Sequence, residues 1–217
     1  MLSADDAELV QEPTGADELQ STEAMRGDWL AGRAGGGPAT ICTPFSTAEG
    51  SAQSRGELIA ANAAIAAEYW DGRVPREAQF ASLLGARYPR AEVADLSPIL
   101  DELRNIKSPR EIALIRRPSQ IAASGIIEAM KTTRHGLYEY QLDAAARYVF
   151  LVNGACLEGY RSITAAGTDN IWNAHYYRNA SELKDGDLVL INYAPDYHYY
   201  TSDVTRMWPV NGSFAPW

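Results

Sequence analysis

The chain has 217 residues, 46% of them hydrophobic and 22% charged, which supports a sizeable buried core in one large or two small domains. Its formal net charge of -9 works against non-specific attachment to nucleic acid or anionic lipid, because both are held by basic patches. No stretch approaches the roughly 18 apolar residues of a membrane span, and the opening Met1-Leu2-Ser3-Ala4-Asp5-Asp6 has neither the basic nor the apolar region of a signal peptide. No nucleic-acid and no membrane partner is therefore expected, and the compartment is read as cytoplasmic. Cys42 and Cys156 have no CxxC spacing and are expected to be buried small hydrophobes in a reducing environment.

In chain order, Gly35 to Pro38 is a breaker, read as a linker without any phosphate-loop pattern. Ile41 to Phe45 reads as a short strand, residues 56–68 and 75–88 as helices, and Glu92 to Leu96 as another strand. Pro75 suits the start of the second helix, where the first-turn amides have no partner inside the helix. The pattern is a small α/β domain over residues 1–106. A second domain over 107–217 opens with Ser108-Pro109-Arg110-Glu111, a capping box with proline at the first helical position. Ile112, Ile115, Ala122, Ile126 and Ala129 then recur at helical spacing and predict one buried face. Pro118 interrupts that face and predicts either a kink or a later helix start. Gly136 ends the unit, and Tyr138, Leu142, Ala145 and Val149 predict a second amphipathic helix. A strand over residues 159–166 follows.

The most informative stretch is Gly186 to Arg206, two apolar strands folded back on each other. A turn centred on Tyr197-His198 sets Ala194 opposite Thr201 and Asn192 opposite Asp203, with both polar side chains on one face. Two carboxylates so placed would repel unless a divalent cation lay between them. This chain has one carboxylate and one amide. Asn192 can donate an amide hydrogen bond to Asp203, and the pair can then be satisfied without a cation.

Several pieces together carry a family resemblance: Ile106-Lys107-Ser108-Pro109-Arg110-Glu111-Ile112, His175-Tyr176, Leu183 to Leu190, Tyr200 to Arg206, and Pro209 to Gly212. From about residue 106 onward the sequence resembles the pita-bread metallopeptidases, aminopeptidase P and prolidase in particular. The resemblance implies an α/β fold, with a partial creatinase-type N-terminal domain followed by the first half of a pita-bread catalytic domain. It also implies a hydrolase with two divalent ions, often manganese, that cleaves peptides with proline at the second position. In the family two hairpin aspartates, a later histidine and two later glutamates hold the ions. A metal-bridging water attacks the scissile carbonyl, and the metals stabilise the oxyanion. Asp203 matches the second, bridging aspartate, Asn192 stands where the first would be, and His175 matches a catalytic histidine on the substrate side.

Two departures point to little or no activity in this chain alone. A neutral amide is a poorer ligand for a hard cation than a carboxylate, and the run to Trp217 ends before the remaining family ligands. The start is expected to be clipped for the same reason, since the N-terminal domain is usually longer. A half-domain would leave apolar surface bare, so a homo-oligomer or a complementing C-terminal half is expected. The alternative is a non-catalytic pseudo-peptidase that binds peptide or a partner protein. Tyr193, Tyr197, Tyr199 and Tyr200 read as strand packing, Asp185-Gly186 as a turn, and His198 as an exposed turn residue. His135 reads as helix-end punctuation, and Arg206 either pairs with a carboxylate or lies in solvent.

Overall fold

The computed structural model describes residue 32 and residues 39–48, 52–173 and 176–214. The glycine breaker at Gly35–Pro38 lies outside the described residues, as does His175. The chain divides into two compact units, Met1–Thr47 with Glu68–Glu102, and Ala48–Ala67 with Leu103–Trp217. No helix among the described residues is long and apolar enough to cross a membrane.

The first unit holds strands β1 (Thr40–Thr43) and β2 (Glu92–Asp95), paired in parallel with Thr40 opposite Glu92. Helix α2 (Arg76–Arg87) lies between them in sequence and buries Leu84. Asp95 and Ser97 anchor the segment after β1, since Phe45 N–H donates to Asp95 Oδ1 at 3.0 Å and Ser46 N–H to Ser97 Oγ at 3.0 Å. The two expected strands and the helix are present. Cys42 and Cys156 are both exposed, which corrects their reading as buried hydrophobes. Cys42 lies within the two-stranded β1-β2 sheet and Cys156 just before the two-residue β3, and such short strands give too little cover to bury them.

The second unit begins with helix α1 (Arg55–Ala67), where Ser54 and Glu57 cap each other reciprocally. Helix α3 (Ser97–Asn105) spans the division between the units. Helix α4 (Pro109–Thr132) starts at the expected capping box, with Ser108 Oγ accepting from Glu111 N–H and Glu111 Oε2 from Ser108 N–H. It does not begin later than Pro118, as one expectation had it, but runs through that residue. Ser119 Oγ donates to the Ile115 carbonyl at 2.9 Å and buried Ser202 Oγ to that of Pro118 at 3.4 Å, so side chains take up backbone acceptors around the proline. The buried face comprises Pro118, Ile121, Ala122, Gly125, Ile126 and Ala129. Ile112 is 45% exposed, which corrects its place in the predicted stripe.

Helix α5 (Glu139–Val152) packs along α4, and its buried face is Glu139, Leu142, Asp143, Ala146 and Phe150. That stripe sits one residue round from the predicted one, because two charged side chains are inside it. The close approach depends on Gly125, where a methyl group would collide with the Phe150 ring.

Strands β4 (Ile163–Ala166), β5 (Leu188–Tyr193) and β8 (Val204–Pro209) form one antiparallel sheet in the order β4-β5-β8. A second sheet has the order β3-β6-β7, from Leu157–Glu158, Pro195–Tyr197 and Tyr200–Thr201. On β5 burial alternates strictly. Val189, Ile191 and Tyr193 join the core with Leu142, Phe150 and Trp208, while Leu188, Leu190 and Asn192 face the other side. The hairpin is thus one long ribbon that changes sheets, bending at Ala194 on one arm and at Ser202-Asp203 on the other. A short helix α6 (Thr168–Ile171) follows β4.

Candidate metal centre

Asn192 does not stand opposite Asp203. Its partner across the ladder is Thr205, and Tyr193 faces Val204. The turn is centred on His198-Tyr199, both at positive φ (53° and 65°) as a primed two-residue hairpin turn requires. The expected register is therefore off by two residues. A shift of two preserves the face, because side chains alternate with period two, so Asp203 and Asn192 still point the same way.

Tyr160 shows that they converge. It follows β3, and its hydroxyl donates to Asp203 Oδ1 at 2.7 Å and also contacts Asn192 Oδ1. The approach is set by Gly159, whose N–H donates to the Ala194 carbonyl at 2.9 Å. A methyl group on Gly159 would lie 2.6 Å from Thr201 Cγ2, so only glycine lets this segment pass so near β7. Burial, then the Asp203 carboxylate, push the Tyr160 phenol far above its ordinary pKa, which keeps it a proton donor. Tyr160 was not singled out in the sequence. Its only signal is an aromatic residue directly after a glycine in the strand that precedes the hairpin.

A second cluster surrounds Glu139. This residue is fully buried, yet its carboxylate accepts from Ala166 N–H at 2.7 Å, Ser181 N–H at 2.9 Å, Tyr176 Oη at 2.8 Å and Asn170 Nδ2 at 3.1 Å. It ties Ala166 and Asn170 to Tyr176 and Ser181. Burial raises the Tyr176 phenol and Glu139 adds to the rise, while Ser181 opposes it. Asp169, Asn170, Asn173, Tyr176, Tyr177 and Arg178 line an open cleft of about 500 Å3 there. Tyr177 is held by its hydroxyl on Glu57 Oε1 at 3.0 Å and by the Arg161 guanidinium 4.7 Å above its ring. Further off, Arg147 bridges Asp143 (2.9 Å) and Glu158 (2.9 Å). Burial opposes its charge, and the two carboxylates more than offset that.

The other tyrosines and basic residues have plainer places. Tyr193 is wholly buried, Tyr199 is 89% exposed, and Tyr200 Oη donates to Glu111 Oε1 at 3.0 Å. Arg206 is exposed and donates to the Thr205 carbonyl at 2.7 Å.

The model of Metallopeptidase family M24 matches residues 113–217. Over these residues the chain is similar to metallopeptidase family M24. An Xaa-Pro aminopeptidase of Haemophilus influenzae is 42% identical over 125 residues, which cover 58% of this chain and 29% of that one. Proline aminopeptidase P II of Yersinia pestis matches in structure with a TM-score of 0.59 at 40% identity, over 64% of this chain and 33% of that one. A structure described as a putative aminopeptidase P from Bacillus anthracis, 21% identical, follows 99% of this chain and 46% of its own length at a TM-score of 0.76, which shows shared fold. The chain thus spans about a third of the length of the M24 relatives it matches.

The M24 family name implies a metal, and the donors at 192 and 203 can be tested against one. They supply one carboxylate and one neutral amide, and a tyrosine hydroxyl lies against both oxygens. Hard divalent ions select charged oxygen ligands in number. Among the described residues, no three His, Cys, Asp or Glu side chains gather in one place. This donor set does not fit a two-ion centre.

Proposed function

We propose that this chain carries part of the catalytic domain of a proline-directed metallo-aminopeptidase, a pita-bread domain acting on peptides with proline at the second position. The observation that carries the reading is the 42% identity to an Xaa-Pro aminopeptidase over 125 residues, together with the M24 match over residues 113–217, which include Tyr160, Asn192 and Asp203. In this proposal residues 1–106 derive from the N-terminal domain and 107–217 from the catalytic one. His175 serves the substrate, positions 192 and 203 are metal positions, and the ions of the complete domain are two manganese ions. Because the donors present do not fit them, the chain alone is assigned little or no turnover.

The chain's own contribution is to hold a peptide. Glu139 ties Ala166 and Asn170 to Tyr176 and Ser181, and Tyr177 and Arg178 give the adjoining cleft an aromatic wall and a cation. A second reading, a non-catalytic peptide- or partner-binding unit in the cytoplasm, is favoured by Asn192. Both readings expect self-association or a complementing half, since Tyr148, Leu151 and Val152 on α5 are 58–68% exposed.

NMR titration of the chain with a short Xaa-Pro peptide and with its Xaa-Ala counterpart tests the proposal. Preferential shifts at the 169–178 cleft with the proline peptide support it. Equal responses, or none, contradict a proline-directed site. Selective binding without Mn2+-dependent release of the first residue, even in Asn192→Asp, favours the second reading.

A further inference from the structure

The contacts of Tyr160 do not balance as they stand. A phenol has one proton, and here it faces two acceptor oxygens, Asn192 Oδ1 and Asp203 Oδ1. Asp203 is exposed and can turn to water, but the half-buried contact with Asn192 Oδ1 would set lone pairs against each other. The amide group of Asn192 resolves this. Its oxygen and nitrogen fill nearly the same volume and exchange by rotation about χ2, so the hydrogen-bond count decides which one faces the phenol.

We infer that Asn192 turns its amide N–H toward Tyr160 and that the three side chains form a one-way hydrogen-bonded relay, Asn192 to Tyr160 to Asp203, which takes the place of a cation between the two hairpin positions. Asn192 Nδ2–H donates to the Tyr160 oxygen, and Tyr160 O–H donates to Asp203 Oδ1. The phenol then both receives and donates one hydrogen bond, with one negative charge on Asp203 and a full proton count.

An aspartate at 192 could not do this. Two carboxylates and one phenolic proton leave a surplus charge and an unmatched acceptor, which a cation would relieve. The exchange of a single oxygen for NH2 thus changes the junction from one that needs a positive ion to one that is complete without it. This rests on the family reading of 192 and 203 as metal positions, but it concerns what stands there now, and its failure is separable from that of the proline-directed proposal.

The test uses the whole chain in two measurements. Calorimetric titration with Mn2+ is expected to show no stoichiometric uptake by the natural chain, and binding roughly tenfold or more tighter in Asn192→Asp. In nitrogen-15 NMR of the natural chain, the Asn192 side-chain amide, assigned by its loss in Asn192→Asp, is expected to be shifted and exchange-protected, and to move in Tyr160→Phe. Stoichiometric Mn2+ uptake by the natural chain that Asp203→Asn abolishes would overturn the inference. So would an Asn192 amide indifferent to Tyr160→Phe. If Asn192→Asp takes up no ion while the amide does respond, the relay stands and the reading of the pair as a metal position falls.

Discussion

Glu139 and Asp203 are both carboxylates that accept a hydrogen bond from a tyrosine hydroxyl, Tyr176 at 2.8 Å in one case and Tyr160 at 2.7 Å in the other. Their circumstances are otherwise opposed. Glu139 is 0% exposed and takes four donors, two of them backbone amides, whereas Asp203 is exposed and is met by the phenol on one oxygen. A buried charge persists only when its lone pairs are filled, so Glu139 is spent on holding the chain together. Asp203 needs no such set of donors, because water can reach it. The contrast separates a carboxylate that builds the fold from one open to solvent, although both lie beside tyrosines within the stretch that the M24 model matches.

The sharpest way to break this contrast is to remove each carboxylate. Glu139→Ala strands two backbone amides and a phenol in the interior and is expected to cost about 3–5 kcal/mol in urea unfolding. Asp203→Ala should stay within about 1 kcal/mol of the natural chain. Equal losses would erase the distinction. Arg147→Ala leaves Asp143 and Glu158 facing each other without their cation. Because Arg147 is itself 41% exposed, the loss is expected near ~2 kcal/mol, less than for a wholly buried pair.

Ser108→Ala removes the α4 cap and is expected to cost about 1 kcal/mol in the same assay. The pH dependence of that cap follows from Glu111. The backbone N–H of Ser108, then its side chain and Tyr200, hold the Glu111 carboxyl below its ordinary 4.5. A depressed folded pKa contributes stability that is present above about 4.5 and is lost as pH falls through the folded value. The natural chain should therefore lose α4 stability in acid, and Glu111→Gln should flatten that limb without abolishing it. At the alkaline end Tyr193 is raised well above 10 by burial and by Asp143. Its contribution is present below about 10 and fades as pH rises beyond, so Tyr193→Phe should reduce the alkaline loss followed by circular dichroism.

Much of the architecture was legible because it rests on local rules. The Ser108–Glu111 box marked the start of α4, and the apolar run before Asn192 marked β5. The register was not, because His198-Tyr199 is an unusual pair for a turn that needs positive φ, and nothing in their chemistry announces it. Even so, the shared face of Asn192 and Asp203 survived a two-residue error, since only an odd slip would have turned one of them inward. Tyr160 and Glu139 escaped notice for different reasons. A phenol's role comes from a partner 32 and 43 residues away, and an acidic residue in a first helical turn ordinarily signals a solvated helix start. The stripe on α5 was misjudged by one position for the same cause, since burial there includes Glu139 and Asp143.

Asn192 and Asp203 meet at Tyr160, and on the relay proposed above their junction is complete without a cation. Crystals of the natural chain grown with excess Mn2+, measured at the manganese absorption edge, test this most directly. The expected result is no anomalous peak between residues 192 and 203 and a Tyr160 oxygen within hydrogen-bond distance of both side chains. A strong peak bridging them, with Tyr160 turned away, would contradict it.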